Sequence, residues 1–150
     1  MIATGTANWA KVLPHQLVTN DQYRDYSYWS IDVEVDDEEK ARLLAANIKP
    51  YKDTNTFKFL LKEKTAKGTD NQPPTIVDAA KNPWDKGEIG NGSKVNVSFF
   101  TYEHQATPMH GLGKQLKAIQ VVEHVPYAGS AGGAGVSEFD ALEDNGTDEF

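Results

Sequence analysis

The sequence predicts a mainly β fold, with five or six short strands closing into a small barrel, one α-helix, and an acidic C-terminal tail outside the barrel. Three observations predict it. Apolar and polar residues alternate over Tyr28 to Val35, Phe57 to Leu61 and Lys94 to Tyr102, the period of a strand buried on one face. Only one stretch, residues 37–47, carries the acids, alanines and leucines of an amphipathic helix. From Ala128 to Gly135 (AGSAGGAG) no side chain is large enough to pack, and the residues beyond are too polar to bury a core.

Taken in order, residues 4–13 (TGTANWAKVL) read as a first strand ended by Pro14, with Trp9 either packed or stacked on a ligand. The polar residues 14–27 read as a connecting loop. In the next strand, Trp29, Ile31, Val33 and Val35 point inward and Tyr28, Ser30, Asp32 and Glu34 outward. Asp36 or Asp37 then caps the helix over 37–47, whose first turn holds acids where the helix dipole favours them. Its expected apolar stripe is Ala41, Leu44, Ala45 and Ile48, and Pro50 stops it. Phe57, Phe59 and Leu61 face inward from the following strand, with Lys58 and Lys62 on its other side, either as ligand contacts or as a charged sheet edge. After a polar loop from Lys64 to Pro74, Thr75 to Ala80 is a short strand. The turn Asn82 to Gly87 carries Trp84, a plug for the barrel end or a ligand contact.

The most informative stretch runs from Glu88 to Glu103. Gly90, Asn91, Gly92 and Ser93 tolerate a sharp reversal, and a strand begins at Lys94. Val95, Val97 and Phe99 take one face; Lys94, Asn96, Ser98, Phe100 and Tyr102 take the other. That second face carries a cation, small polar groups and two rings, a chemistry suited to a charged polymer of bases. The same rings would equally suit a second core layer or an oligomer contact. Beyond a loop with Pro108, Gly111 and Gly113, the mixed parity of Leu116, Ile119, Val121 and Val122 predicts a strand with a bulge. The chain thus divides into a barrel over residues 1–127, a flexible Gly/Ala linker over 128–136, and an acidic, disordered tail over 137–150. A five-stranded barrel with one helix that binds polymers across one face is an OB-fold; a β-sandwich is the alternative.

Net charge is −7, but its distribution matters more. Residues 137–150 hold six acids and no base, whereas residues 40–117 hold 13 bases and 7 acids. An acidic protein therefore has a basic middle, which argues against a DNA mimic. With no cysteine, disulfides and thiolate metal sites are excluded, and neither a signal peptide nor a membrane-spanning run is apparent. The expectation is a soluble cytoplasmic protein. His15, His104, His110 and His124 lack metal-ligand spacing, so no metal or cofactor is expected.

Stacking of bases on aromatic rings is indifferent to sequence, and lysines neutralise phosphates. Single-stranded DNA binding would therefore use Lys58, Lys62, Lys94, Lys114 and Lys117 with the rings of Phe100 and Tyr102. The tail, with Glu138, Asp140, Glu143, Asp144, Asp148, Glu149 and Phe150, is a tethered polyanion able to occupy the same groove until DNA displaces it. Two other classes stand beside this one. A small metal-dependent nuclease would use Asp32, Glu34 and Asp36, which share a strand face, with a histidine; no nucleophile motif accompanies them. An acidic adaptor would act through its tail alone.

The turn and strand Gly90 to Val97, the later Leu116-x-x-Ile119-x-Val121-Val122-Glu123, the Pro74 to Ala79 segment, and the acidic tail closing on Phe150 together resemble the replication single-stranded DNA-binding proteins of short-tailed phages. The resemblance covers roughly residues 73–150. It implies a non-enzymatic OB-fold that coats single strands during phage DNA replication, recombination and repair. It also implies a homodimer whose tail contacts the replicative polymerase and the helicase-primase. By the same resemblance, Phe150 is the partner-contacting terminal aromatic, and Lys94 with the aromatics from Phe99 to Tyr102 forms the DNA face. Unlike the best-known members, this chain is short and has only two arginines, Arg24 and Arg42.

Overall fold

The computed structural model describes residues 1–19, 26–65 and 67–126. The linker and tail expected over 128–150 lie outside the described residues, as does Arg24. Six strands form: β1 (Ile2–Lys11), β2 (Tyr28–Glu34), β3 (Thr56–Lys62), β4 (Thr75–Asp78), β5 (Lys94–Tyr102) and β6 (Gly113–Glu123). Helix α1 (Asp37–Ala45) lies between β2 and β3, and a single-turn helix α2 (Thr107–His110) occupies the loop before β6.

β1 pairs antiparallel with β2 and β5, β2 with β3, and β5 with β6. β6 then meets β3 in parallel at Leu60 and Gln115, which closes five strands into a barrel. This is the OB-fold architecture. β4 stays outside the ring, parallel to β6. Closure also means that β3 is no edge, so Lys58 and Lys62 are not edge protection.

The alternation predicts the core well. Val33, Phe57, Phe59, Val95, Val97 and Phe99 are all buried, and the Phe59 and Phe99 rings meet 4.8 Å apart between centroids. Each such ring contributes roughly 1.5–3 kcal/mol by leaving water. Tyr28 and Ser30 depart from expectation: both belong to the outward parity of β2 yet are buried. β6 bulges where it pairs with Ser98 and Phe99, the irregularity that its mixed parity predicts.

In α1, Asp36 is the cap, its Oδ1 accepting the Glu39 N–H at 2.8 Å. The expected apolar stripe is displaced. Leu43 and Ile48 are buried, whereas Ala41, Leu44 and Ala45 face solvent. The helix ends at Ala45, and Asn47 at φ 64° turns the chain out of it, earlier than Pro50. The reason is that α1 sits across the start of β1 rather than flat on the barrel. Its Glu39 Oε2 accepts the Thr4 N–H at 2.9 Å, and Arg42 Nη2 donates to the Ile2 carbonyl.

At the opposite end of β5, the turn before Lys94 is tied to the segment that follows β6. The buried Ser93 hydroxyl donates to the Gly90 carbonyl at 2.9 Å and accepts the Val125 N–H at 2.8 Å. A side chain at Gly90 would run into the Val125 and Pro126 carbonyls, so only glycine permits that approach. Trp84 packs against the core, donates from Nε1 to the Gly87 carbonyl at 2.7 Å, and stands edge-on to His124.

Candidate nucleic-acid interface

Barrel closure creates the site. Because β3 meets β6, the outward residues of β3 face those at the start of β6, and the segments on either side rise as walls. The result is an open groove of about 1040 Å³. The connection between α1 and β3 contributes Lys49, Tyr51 and Lys52 to its lining, and Tyr26 at the entry to β2, Lys64, and Met109 and His110 of α2 complete it. Among the described residues, seven lysines line it (Lys40, Lys49, Lys52, Lys58, Lys62, Lys64 and Lys114) against a single acid, Asp53. Three tyrosines are interleaved with them: Tyr26, Tyr51 and Tyr102.

These groups are ordered by specific contacts. Lys62 Nζ lies 4.4 Å from the centroid of the Tyr26 ring, and Lys52 Nζ 5.2 Å from that of Tyr51. Lys58 stands 3.0 Å from Asp32 Oδ1 across β2 and β3, and Lys64 is 2.6 Å from Asp70. Lys114 donates to the Lys49 carbonyl at 3.2 Å, and its burial lowers its pKa, since the charged form is poorly solvated there. Hydrogen bonding to Asp70 instead raises that of Lys64. Tyr51 and Tyr102 each leave about half their surface to solvent, at 56% and 51%. The arrangement is a concave cationic surface with exposed ring faces, able to hold phosphates and planar groups together.

Of the residues expected at the site, Lys58, Lys62, Lys114 and Tyr102 converge in this groove. Phe99 does not: it is 1% exposed, packed on Phe59, and has no free face for a base. Lys94 starts the same strand that Tyr102 ends, roughly 26 Å away at strand rise, paired with Thr6 and Glu123. It therefore lies outside the groove. Phe100 is 53% exposed beside the groove rather than in it, with Lys117 Nζ 4.9 Å from its ring centroid. The tail residues Glu138, Asp140, Glu143, Asp144, Asp148, Glu149 and Phe150 lie outside the described residues.

Sequence reasoning missed Tyr26, Lys40, Lys49, Tyr51, Lys52 and Lys64. A signal existed in Lys49-Pro50-Tyr51-Lys52, an aromatic between lysines in a short connection. The acids of the nuclease alternative are not brought together as a ligand set. Asp36 caps α1, Asp32 faces Lys58, and Glu34 is exposed. Among the described residues no group of three His, Cys, Asp or Glu side chains is placed to hold a metal ion, and no helix is long and apolar enough to cross a membrane.

No family model and no curated protein matches the chain in sequence. Its fold, however, is shared with solved structures. The single-stranded DNA-binding protein gp2.5 encoded by bacteriophage T7 superposes with a TM-score of 0.59 at 19% identity, over 98% of this chain and 96% of that one. The single-stranded DNA-binding protein from bacteriophage Enc34, in complex with ssDNA, superposes with a TM-score of 0.51 at 7% identity, over 83% of this chain and 86% of that one.

Proposed function

We propose that this chain binds single-stranded DNA without sequence preference, laying the strand along the groove between β3 and the start of β6. The observation that carries this reading is the convergence, among the described residues, of seven lysines and three tyrosines on one concave surface with a single acid. Lysines neutralise phosphates by releasing counterions, and rings stack on any base, so affinity arises without base-edge readout. The groove takes in the third barrel strand and residues of the connections before the second and fifth, part of the face on which OB-folds hold oligonucleotides. The shared fold supports the reading, since the T7 and Enc34 proteins are single-stranded DNA-binding proteins and one was solved with ssDNA.

The acidic segment completes the proposal. Its six carboxylates complement the groove lysines, and residues 127–150 would span roughly 80 Å if extended, enough to reach the groove from Pro126. In the absence of DNA the tail competes for the groove; DNA displaces it and frees Phe150 for replication proteins. The test is an anisotropy titration of labelled oligo-dT and mixed-sequence oligonucleotides at low and high salt. Affinity that ignores sequence and falls with salt supports the reading, and no binding at low salt overturns it in favour of the acidic adaptor.

A further inference from the structure

Trp9 is the most exposed tryptophan of the chain at 66%, and it sits on backbone that tryptophan rarely adopts, φ 52°. The cause is a bulge. Asn8 pairs with Asp32 and Lys11 with Ser30, so β1 has one residue more than β2 over that interval. Ala7 and Ala10 stay buried, while Trp9 and Lys11 are exposed. The extra residue thus turns a large ring outward without disturbing the core. Asn91 holds it there, its Oδ1 accepting the Trp9 N–H at 2.8 Å. Backbone in this region suits glycine, and a bulky residue kept in it marks a position held for something other than stability.

Register links this bulge to the groove. Lys11 pairs with Ser30, Ser30 with Leu60, Leu60 with Gln115 and Gln115 with Phe100, forming one row around the barrel perpendicular to the strands. Leu60 and Gln115, in the middle of the row, line the groove. The row ends at Phe100, 53% exposed, on one side and at Lys11 on the other, with Trp9, 66% exposed, two residues before Lys11 on the bulge. Four strand-to-strand steps make the row roughly 19 Å long.

We infer that Trp9 is a base-stacking platform that extends the nucleic-acid path beyond the groove to the bulge of β1, with Lys11 beside it for the phosphate. This rests on the single-strand reading proposed above. It makes binding depend on strand length, because only a strand that already fills the groove reaches Trp9.

The test uses the full chain and oligo-dT of about 4 and about 16 nucleotides, the limits of site size for one OB-fold. Labelled-DNA anisotropy reports the groove, and intrinsic tryptophan emission reports Trp9, since Trp29 is buried and Trp84 is packed. With the longer strand, emission should be quenched in the native chain and unchanged in Trp9→Phe. Trp9→Gly, which relieves the backbone, should keep or raise the melting temperature while weakening the longer strand at least about five-fold and the shorter one little. Rising anisotropy with equal quenching in native and Trp9→Phe chains overturns the platform and leaves the groove standing. Absence of any anisotropy change in the native chain overturns both.

Discussion

Tyr102 lies flat against Gly113, its cross-strand partner: a Cβ at position 113 would fall among three carbons of the ring. The missing side chain is what lets the ring rest on the β6 backbone with its other face toward the groove. Gly113→Ala should therefore push Tyr102 out of place and weaken oligo-dT binding without removing a DNA-contacting group. Tyr102→Ala should cost about 1–3 kcal/mol of binding free energy, and the double variant no more than Tyr102→Ala alone. Additive losses in anisotropy titrations would show that the two positions act separately.

The groove separates lysines that the sequence treats alike. Lys62→Ala should reduce the dependence of log affinity on log salt by about 0.7 for each phosphate that Lys62 neutralises, whereas Lys94→Ala, at the far end of β5, should leave that slope unchanged. Titrations at four or five salt concentrations decide it, and an equal effect of both substitutions would place the strand along β5 instead.

Lys114 provides a pH signature. Its folded pKa lies below the unfolded value of 10.5 because of burial, so the unfolded chain binds the extra proton in that interval. The destabilisation is fully present below the folded pKa and disappears as pH rises from there toward 10.5. Lys114→Met should remove this alkaline gain in melting temperature. A phosphate nearby favours the charged form, so DNA binding at alkaline pH should take up protons. Calorimetry in two buffers of different ionisation enthalpy measures the uptake, which should shrink in Lys114→Met.

The clamp of α1 on β1 responds at the other end of the pH scale. Glu39 is held below its ordinary value of 4.5 first by the hydrogen bond from Arg42, and also by the Thr4 N–H. A depressed carboxyl stabilises the fold above the unfolded value and loses that contribution as pH falls through the folded one. Glu39→Gln should lower stability near neutral pH by about 0.5–1.5 kcal/mol and flatten the acid limb of melting temperature against pH. Coincident curves for the two chains would show that the clamp contributes nothing to stability.

Ending the chain at Gly135 removes all six tail acids. Affinity for oligo-dT should rise several-fold at low salt and converge with that of the full chain at high salt, where the tail's attraction to the groove is screened. An unchanged affinity at low salt would end the competition model.

Alternation alone was enough to place Phe57, Phe59, Val95, Val97 and Phe99 in the core and to send Lys58, Lys62 and Tyr102 outward. A two-residue period reports which face of a strand a residue occupies, and burial of apolar area enforces it. It reports nothing about which outward residues become neighbours. The helix shows the same limit: its existence and its Asp36 cap are local facts, but the choice of Leu43 over Leu44 depended on how the helix meets the start of β1.

The candidate nucleic-acid face was legible only in part for the same reason. Lysines clustered in the middle of the chain marked a basic stretch, and rings on β5 marked an unusual surface. Their convergence came from barrel closure at Leu60 and Gln115, distant in sequence, and from bulges in β1 and β6 that reset the register. Closure put Lys114 beside Lys49, left Lys94 behind, and the β1 bulge turned Trp9 outward. Composition and period are properties of single strands, whereas a groove is a property of how strands meet.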